Sequence, residues 1–192
     1  FRYSSYTAIG LVSYAILLNM DAILVRRFFD SAQAGNYSAA ITLGKVVQFL
    51  PVAVIMILFP KAAQRQAARQ NSARLLVPAM LVVLLVSGGI ALLYTLFPEQ
   101  IVKMTVGDRY AVNGRLLGLV GVAMLLLSLA NVWLNYFLST DWTYYVYLVA
   151  IGVLIQAGLM ATFHTELWQL PAAMAADGLW LTIIGGIVFV KQ

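Results

Sequence analysis

Most charged residues of this 192-residue chain cluster between apolar runs, but three stand inside them: Asp21, Lys45 and Asp177. Asp21 falls in AIGLVSYAILLNMDAILV, apolar except for Asn19 two residues earlier, and Arg26-Arg27 close the stretch. Lys45 lies within a second apolar run, with Gln48 three residues on and on the same helical face. A later run carries Ser128, Asn131 and Asn135 at spacings of three and four, again one helical face. Ionisable groups at membrane depth are costly and turn toward a cavity or a partner. Two arrangements satisfy Asp21 and Lys45. They line a polar cavity, or they pair and lock one helix to the next. The asparagine stripe has a parallel choice between cavity wall and interhelical hydrogen bonding, the latter worth about 0.6 kcal/mol on average. Asp177, followed by Gly178, is either a cavity acid or the mark of a helix break. The cavity candidates are therefore Asn19, Asp21, Arg26, Lys45, Gln48, Ser128, Asn131 and Asn135, while the isolated Gln156 reads as packing.

Other chemistries find no footing. There is no cysteine, which excludes disulfides, thiolate catalysis and thiolate metal sites. His164 and Glu166 sit two apart in a turn, without HExxH spacing or a third ligand nearby, so no metal site is expected. Neither GxxxxGK[ST] nor GxSxG occurs. The expectation is a protein that is not an enzyme and uses no cofactor. Its bases form no stripe interleaved with stacking aromatics, so no nucleic acid is expected as a partner.

Composition says what must position those polar groups. The chain is 62% hydrophobic and 10% charged, with mean hydropathy +0.90. A soluble domain carries roughly 25% charged residues. Membrane lipids are the expected partner of the remaining surface. Six apolar runs emerge, at about 7–28, 34–59, 75–97, 114–139, 142–163 and 167–190. The first five span about 22–26 residues, roughly 33–39 Å as helix, enough to cross a hydrocarbon core of about 30 Å. The runs are continuous rather than alternating, which excludes barrel strands. The fold class expected is all-α, a polytopic six-helix bundle occupying 1–192 as a single unit. Pro51 should kink or loosen the second helix, Pro60 should end it, and Pro98 should end the third. Trp142, Tyr144, Tyr145 and Tyr147 read as an interfacial aromatic belt. Gly114 and Gly118 have small-xxx-small spacing.

Between the second and third runs lies PKAAQRQAARQNSAR, with Lys61, Arg65, Arg69 and Arg74 and no acid. That density of bases is a cytoplasmic signal under the positive-inside rule. With it inside, both ends of the chain are cytoplasmic. The inner segments then hold six bases and one acid, the outer ones five bases and four acids. The opening Phe1 and the terminal Lys191-Gln192 suggest a piece of a longer protein.

Several passages together resemble the second half of bacterial polysaccharide flippases, in the superfamily that also holds multidrug exporters and peptidoglycan-precursor flippases. They are LLNMDAILVRRFF (Leu17–Phe29), DSAQAGNYSAA (Asp30–Ala40), FLPVAVIMILFP (Phe49–Pro60) before the basic stretch, and Gly107-Asp108-Arg109-Tyr110 after Pro98. The likeness covers about residues 5–140. It departs from the family pattern at HTELWQLPAAMAADG, where a Gly-rich loop and a Gly-Ala-Ala helix start are usual. The resemblance implies a MATE-like fold of two six-helix bundles about a pseudo-twofold axis, with this chain as the C-terminal lobe and an N-terminal bundle as its partner. It implies a polyprenyl-pyrophosphate-linked glycan as substrate, flipped by alternating access across the bacterial cytoplasmic membrane, and glycan polymerase or export proteins as further partners. Lys45, Arg26 and Arg27 would then meet the anionic head. Two rivals remain open: a cation-coupled drug exporter relying on Asp21, and a non-transporting scaffold in which Asp21, Lys45, Asn131 and Asn135 seal together in a dry core.

Overall fold

Buried in hydrocarbon, a backbone must satisfy its own polar groups, and a continuous apolar run does so as helix. The computed structural model describes residues 2–68, 73–105, 107, 114–140 and 142–191. Its elements are α1 (Arg2–Phe28), α2 (Ser31–Ala67), α3 (Ala73–Leu96), α4 (Pro98–Thr105), α5 (Gly114–Ser139), α6 (Tyr144–Thr162) and α7 (Gln169–Val190). Six of the seven are long and apolar enough to cross a membrane; α4 is not. The chain is thus an all-α, polytopic six-span bundle.

The helix starts are legible in local chemistry. Asp30 Oδ1 accepts from Gln33 N at 2.8 Å while Gln33 Oε1 accepts from Asp30 N at 3.4 Å, a reciprocal cap that opens α2. Gln169 Oε1 accepts from Thr165 N, Thr165 Oγ1 and Glu166 N, folding the α6–α7 turn back on the start of α7.

Three expectations are corrected. Pro60 does not end the second span: α2 continues through Pro51 and Pro60 for 37 residues. Pro51 leaves the Val47 carbonyl without its usual backbone donor, and Ser87 Oγ on α3 supplies one at 2.8 Å. Beyond Pro60, KAAQRQA is rich in strong helix formers, so Lys61 and Arg65 ride on helix rather than loop. Arg74 lies in the first turn of α3, and Arg69 is outside the described residues. The third span ends at Leu96, just before Pro98 as expected, and Pro98 itself opens the short helix α4, where its missing N–H is harmless at a first helical position. Gly107, at φ 77°, follows α4 and donates to Val102 O at 3.2 Å; Asp108, Arg109 and Tyr110 lie outside the described residues, as does Asp141. Asp177-Gly178 is no break. Gly178 is where α7 lies on the α5 backbone, and a Cβ there would stand 2.9 Å from Leu126 Cβ and 3.0 Å from Leu127 N.

The aromatic belt is corrected in part. Tyr144 and Tyr147 are exposed, but Tyr145 is fully buried and donates to Leu181 O at 3.0 Å. It belongs to the interior.

Helix α5 is the axis of the bundle. Its most apolar window is 72% buried, against 28–35% for the other five spans, and α7, α2 and α3 pack most extensively on it. Helices α2 and α5 run parallel, since Gly44 meets Val120 and Met124 while the starts of both helices share one pocket with the α6–α7 turn. Helix α1 is attached chiefly through α6 and touches α2 only lightly. At one end of the bundle Phe28 stacks on His164, 4.1 Å between ring centroids. At the other, Trp133, Tyr136 and Phe137 of α5 meet Phe189 of α7 and Tyr145 of α6.

Candidate functional site

Where two successive helices barely touch, their facing sides are free to carry something other than packing residues. On α2, Ser31, Ser38 and Lys45 recur every seven residues, with Thr42 between the last two, and all four are exposed. On α1, Asn19 and Arg26 stand seven apart and are exposed as well. Residues so spaced share one side of a helix.

The two stripes meet at Lys45. Asn19 Nδ2 donates to Ala15 O at 2.8 Å, which turns its Oδ1 outward, and Lys45 Nζ donates to that oxygen at 3.4 Å. Toward the α4 end, a pocket of about 430 Å³ is lined by Arg26, Phe29, Ser31, Ala34, Gly35 and Ser38. Small side chains on α2 leave room there for the guanidinium and for a ligand beside it. The seam thus has two cations, several hydroxyls and one amide. Those groups suit hydrogen bonding to an anion and to sugar hydroxyls.

Lys45 lies 14 residues beyond Ser31, about 21 Å along the helix axis, while a hydrocarbon core is about 30 Å thick. Lys45 also lies 16 residues before Lys61, so it stands near the middle of α2, and a core centred on that helix would contain its exposed ammonium.

Asp21 lies elsewhere. It is fully buried on the opposite side of α1 from Asn19, and its Oδ2 accepts from Tyr37 O–H at 2.8 Å. Met174 Sδ is 3.9 Å from the same hydroxyl, and Asp21 Oδ1 has no partner. Lys45 attracts Asp21 electrostatically, but no ion pair joins them among the described residues. Gln48 is half-buried with Nε2 unpartnered. Ser128 is buried and donates to Met124 O within its own helix at 2.6 Å. Asn135 Nδ2 donates to Asn131 O and Oδ1, both at 2.9 Å, on a half-buried patch of α5. Of the sequence candidates, then, Asn19, Arg26 and Lys45 assemble on one exposed seam. Asp21 stands in the interior, and the α5 stripe closes on itself.

A second interior group lies between α6 and α7. Asp177 is buried with neither carboxylate oxygen partnered, and a Cβ on Gly152 would lie 3.1 Å and 3.2 Å from those oxygens. Gln156, one turn past Gly152, donates to Leu17 O at 2.9 Å and ties α6 to α1. Tyr14 donates to Leu127 O at 3.2 Å.

Sequence reasoning passed over Ser31, Ser38 and Tyr37. The seven-residue recurrence Ser31–Ser38–Lys45 was the available signal for the first two; nothing local distinguishes Tyr37 from an interfacial tyrosine. Among the described residues no three His, Asp or Glu side chains converge as a metal site would require. No protein-family model, curated protein or solved structure matches the chain.

Proposed function

We propose that the chain is one lobe of an alternating-access transporter that passes the anionic head of a lipid-linked glycan along the α1–α2 seam. One observation carries this reading: Lys45 is exposed near the middle of the membrane-length helix α2 and held by Asn19 rather than by an acid. A cation cannot face hydrocarbon at that depth without a large penalty. The seam must therefore border water, substrate or a second bundle. A facing six-helix lobe, the N-terminal half of the same transporter, would enclose it as a central passage. The pyrophosphate would move between Arg26 and Lys45 while serine, threonine and asparagine groups meet the sugars. The polyprenyl tail would stay in lipid. No bond is made or broken in such a passage, so the protein works as a carrier rather than an enzyme. In this reading the base-rich α2–α3 end, and with it both chain ends, faces the cytoplasm at a bacterial inner membrane, an orientation that the positive-inside rule favours.

Charge also separates the rivals. A carrier of cationic drugs would present acids to its passage, whereas the exposed seam presents Lys45 and Arg26 and keeps Asp21 buried. A scaffold with a dry polar core would bury Lys45 with Asp21.

The test is surface-glycan export in cells relying on the full-length transporter. Lys45→Glu and Arg26→Glu should each abolish export at normal protein level, and Lys45→Arg should retain it. Export unchanged in Lys45→Glu would end the assignment.

A further inference from the structure

A separate groove lies on the membrane-facing side of the bundle, between the later half of α2 and the first half of α3. Val54, Ile57 and Leu58 form one wall and Ala79 and Val82 the other, enclosing about 340 Å³. Lys61 closes its outer end. From Val54 to Lys61 the groove covers about 10 Å of α2, against about 15 Å for half a hydrocarbon core. It therefore belongs to one leaflet. Its walls carry no hydrogen-bonding side chain below Lys61, so only hydrocarbon fills it without a desolvation penalty.

The outer end is charged in one sense only. Arg65 follows Lys61 by one turn on the same face of α2, and Arg74 adjoins Leu75, which lines the groove from α3. The stretch Pro60–Arg74 holds no acid. An apolar slot one leaflet deep, capped by basic side chains at headgroup level, matches an anionic lipid. The long stems of lysine and arginine can lie along the slot while their charges reach the phosphate.

We propose that the α2–α3 groove is a binding site for an anionic glycerophospholipid, with one acyl chain between the helices and the phosphate on Lys61, Arg65 and Arg74. The site is distinct from the α1–α2 seam and does not depend on what passes there. A lipid so held would staple the basic extension of α2 to the start of α3.

Native mass spectrometry of the delipidated protein, given phosphatidylglycerol or phosphatidylcholine with identical acyl chains, reads the site directly. Phosphatidylglycerol should be retained about fivefold or more over phosphatidylcholine, the preference one basic residue gives at a headgroup. Val82→Trp, a substitution at an exposed position, should fill the slot and reduce retention of both lipids. Lys61→Gln should lower the ratio, and the triple change Lys61→Gln, Arg65→Gln, Arg74→Gln should bring it to one. Circular dichroism of each variant checks that its helices are intact. A ratio that survives the triple change, or retention untouched by Val82→Trp, would overturn the proposal. So would displacement of phosphatidylglycerol by an equal concentration of polyprenyl phosphate, which would assign the groove to the isoprenoid tail.

Discussion

The α1–α2 seam and the α6–α7 seam each hold an ionisable residue in the middle of an apolar run, yet they treat it in opposite ways. Lys45 stands exposed on a wide-set pair of helices, with Asn19 oriented toward it. Asp177 is sealed between closely packed helices, against the backbone of Gly152 and with no donor for either oxygen. The contrast teaches that an ionisable residue in an apolar run does not by itself mark a passage. Helix separation decides. Where glycine lets helices close, the charge is entombed; where small and hydroxylated residues line helices that diverge, it faces outward.

Water access should separate the two seams most strongly. These 192 residues contain no cysteine, so each variant carries a single thiol within them. Thiols react as thiolates, which form in water and not in lipid or a dry core. Ser38→Cys and Thr42→Cys should label fully with a charged maleimide in intact membranes. Asp177→Cys and Leu85→Cys should stay unlabelled, the first buried and the second 72% exposed on the lipid-facing side. Equal labelling at positions 38 and 85 would erase the distinction between seam and lipid face.

A smaller effect tests the packing that makes the two seams differ. Gly178→Leu would drive a side chain into the α5 backbone and should destabilise the bundle by about 3 kcal/mol, read by thermal unfolding in detergent. Gly186→Ala, with open space around it, should shift stability by no more than about 0.5 kcal/mol. The two buried acids should respond in opposite ways. Tyr37→Phe strips Asp21 of the hydroxyl that donates to its Oδ2 and should cost about 1–3 kcal/mol. Asp177→Ala removes two oxygens that have no partner to lose, so stability should hold or rise slightly. A marked loss at Asp177→Ala would show that this acid is engaged as Asp21 is.

The spans themselves were readable because the apolar runs are long and unbroken; α5 begins and ends where its run does, at Gly114 and Ser139. Breaker residues misled. Pro60 looks terminal from local sequence, but helix formers beyond it carry α2 on. The effect of Pro51 depends on Ser87, 36 residues away, whose hydroxyl takes over the Val47 carbonyl. Gly178 likewise looks like a break until α5 is seen against it. For the site, spacing placed Asn131 and Asn135 on one face correctly, and their mutual hydrogen bond follows from it. What spacing cannot give is depth from the surface. Asn19 and Asp21 are two residues apart on one helix, and rotation alone puts one at the seam and the other at 0% exposure.

The length of α2 carries a mechanical consequence. At 37 residues it is about 55 Å long, nearly twice the thickness of the hydrocarbon core, and it is one helix from the polar pocket to its basic tip. Such a rod is a lever. A tilt of about 10° about its Ser31 end would sweep the far tip through about 10 Å. Small rearrangements beside Arg26 and Lys45 would thus be magnified at the far end of α2, where Lys61 and Arg65 lie.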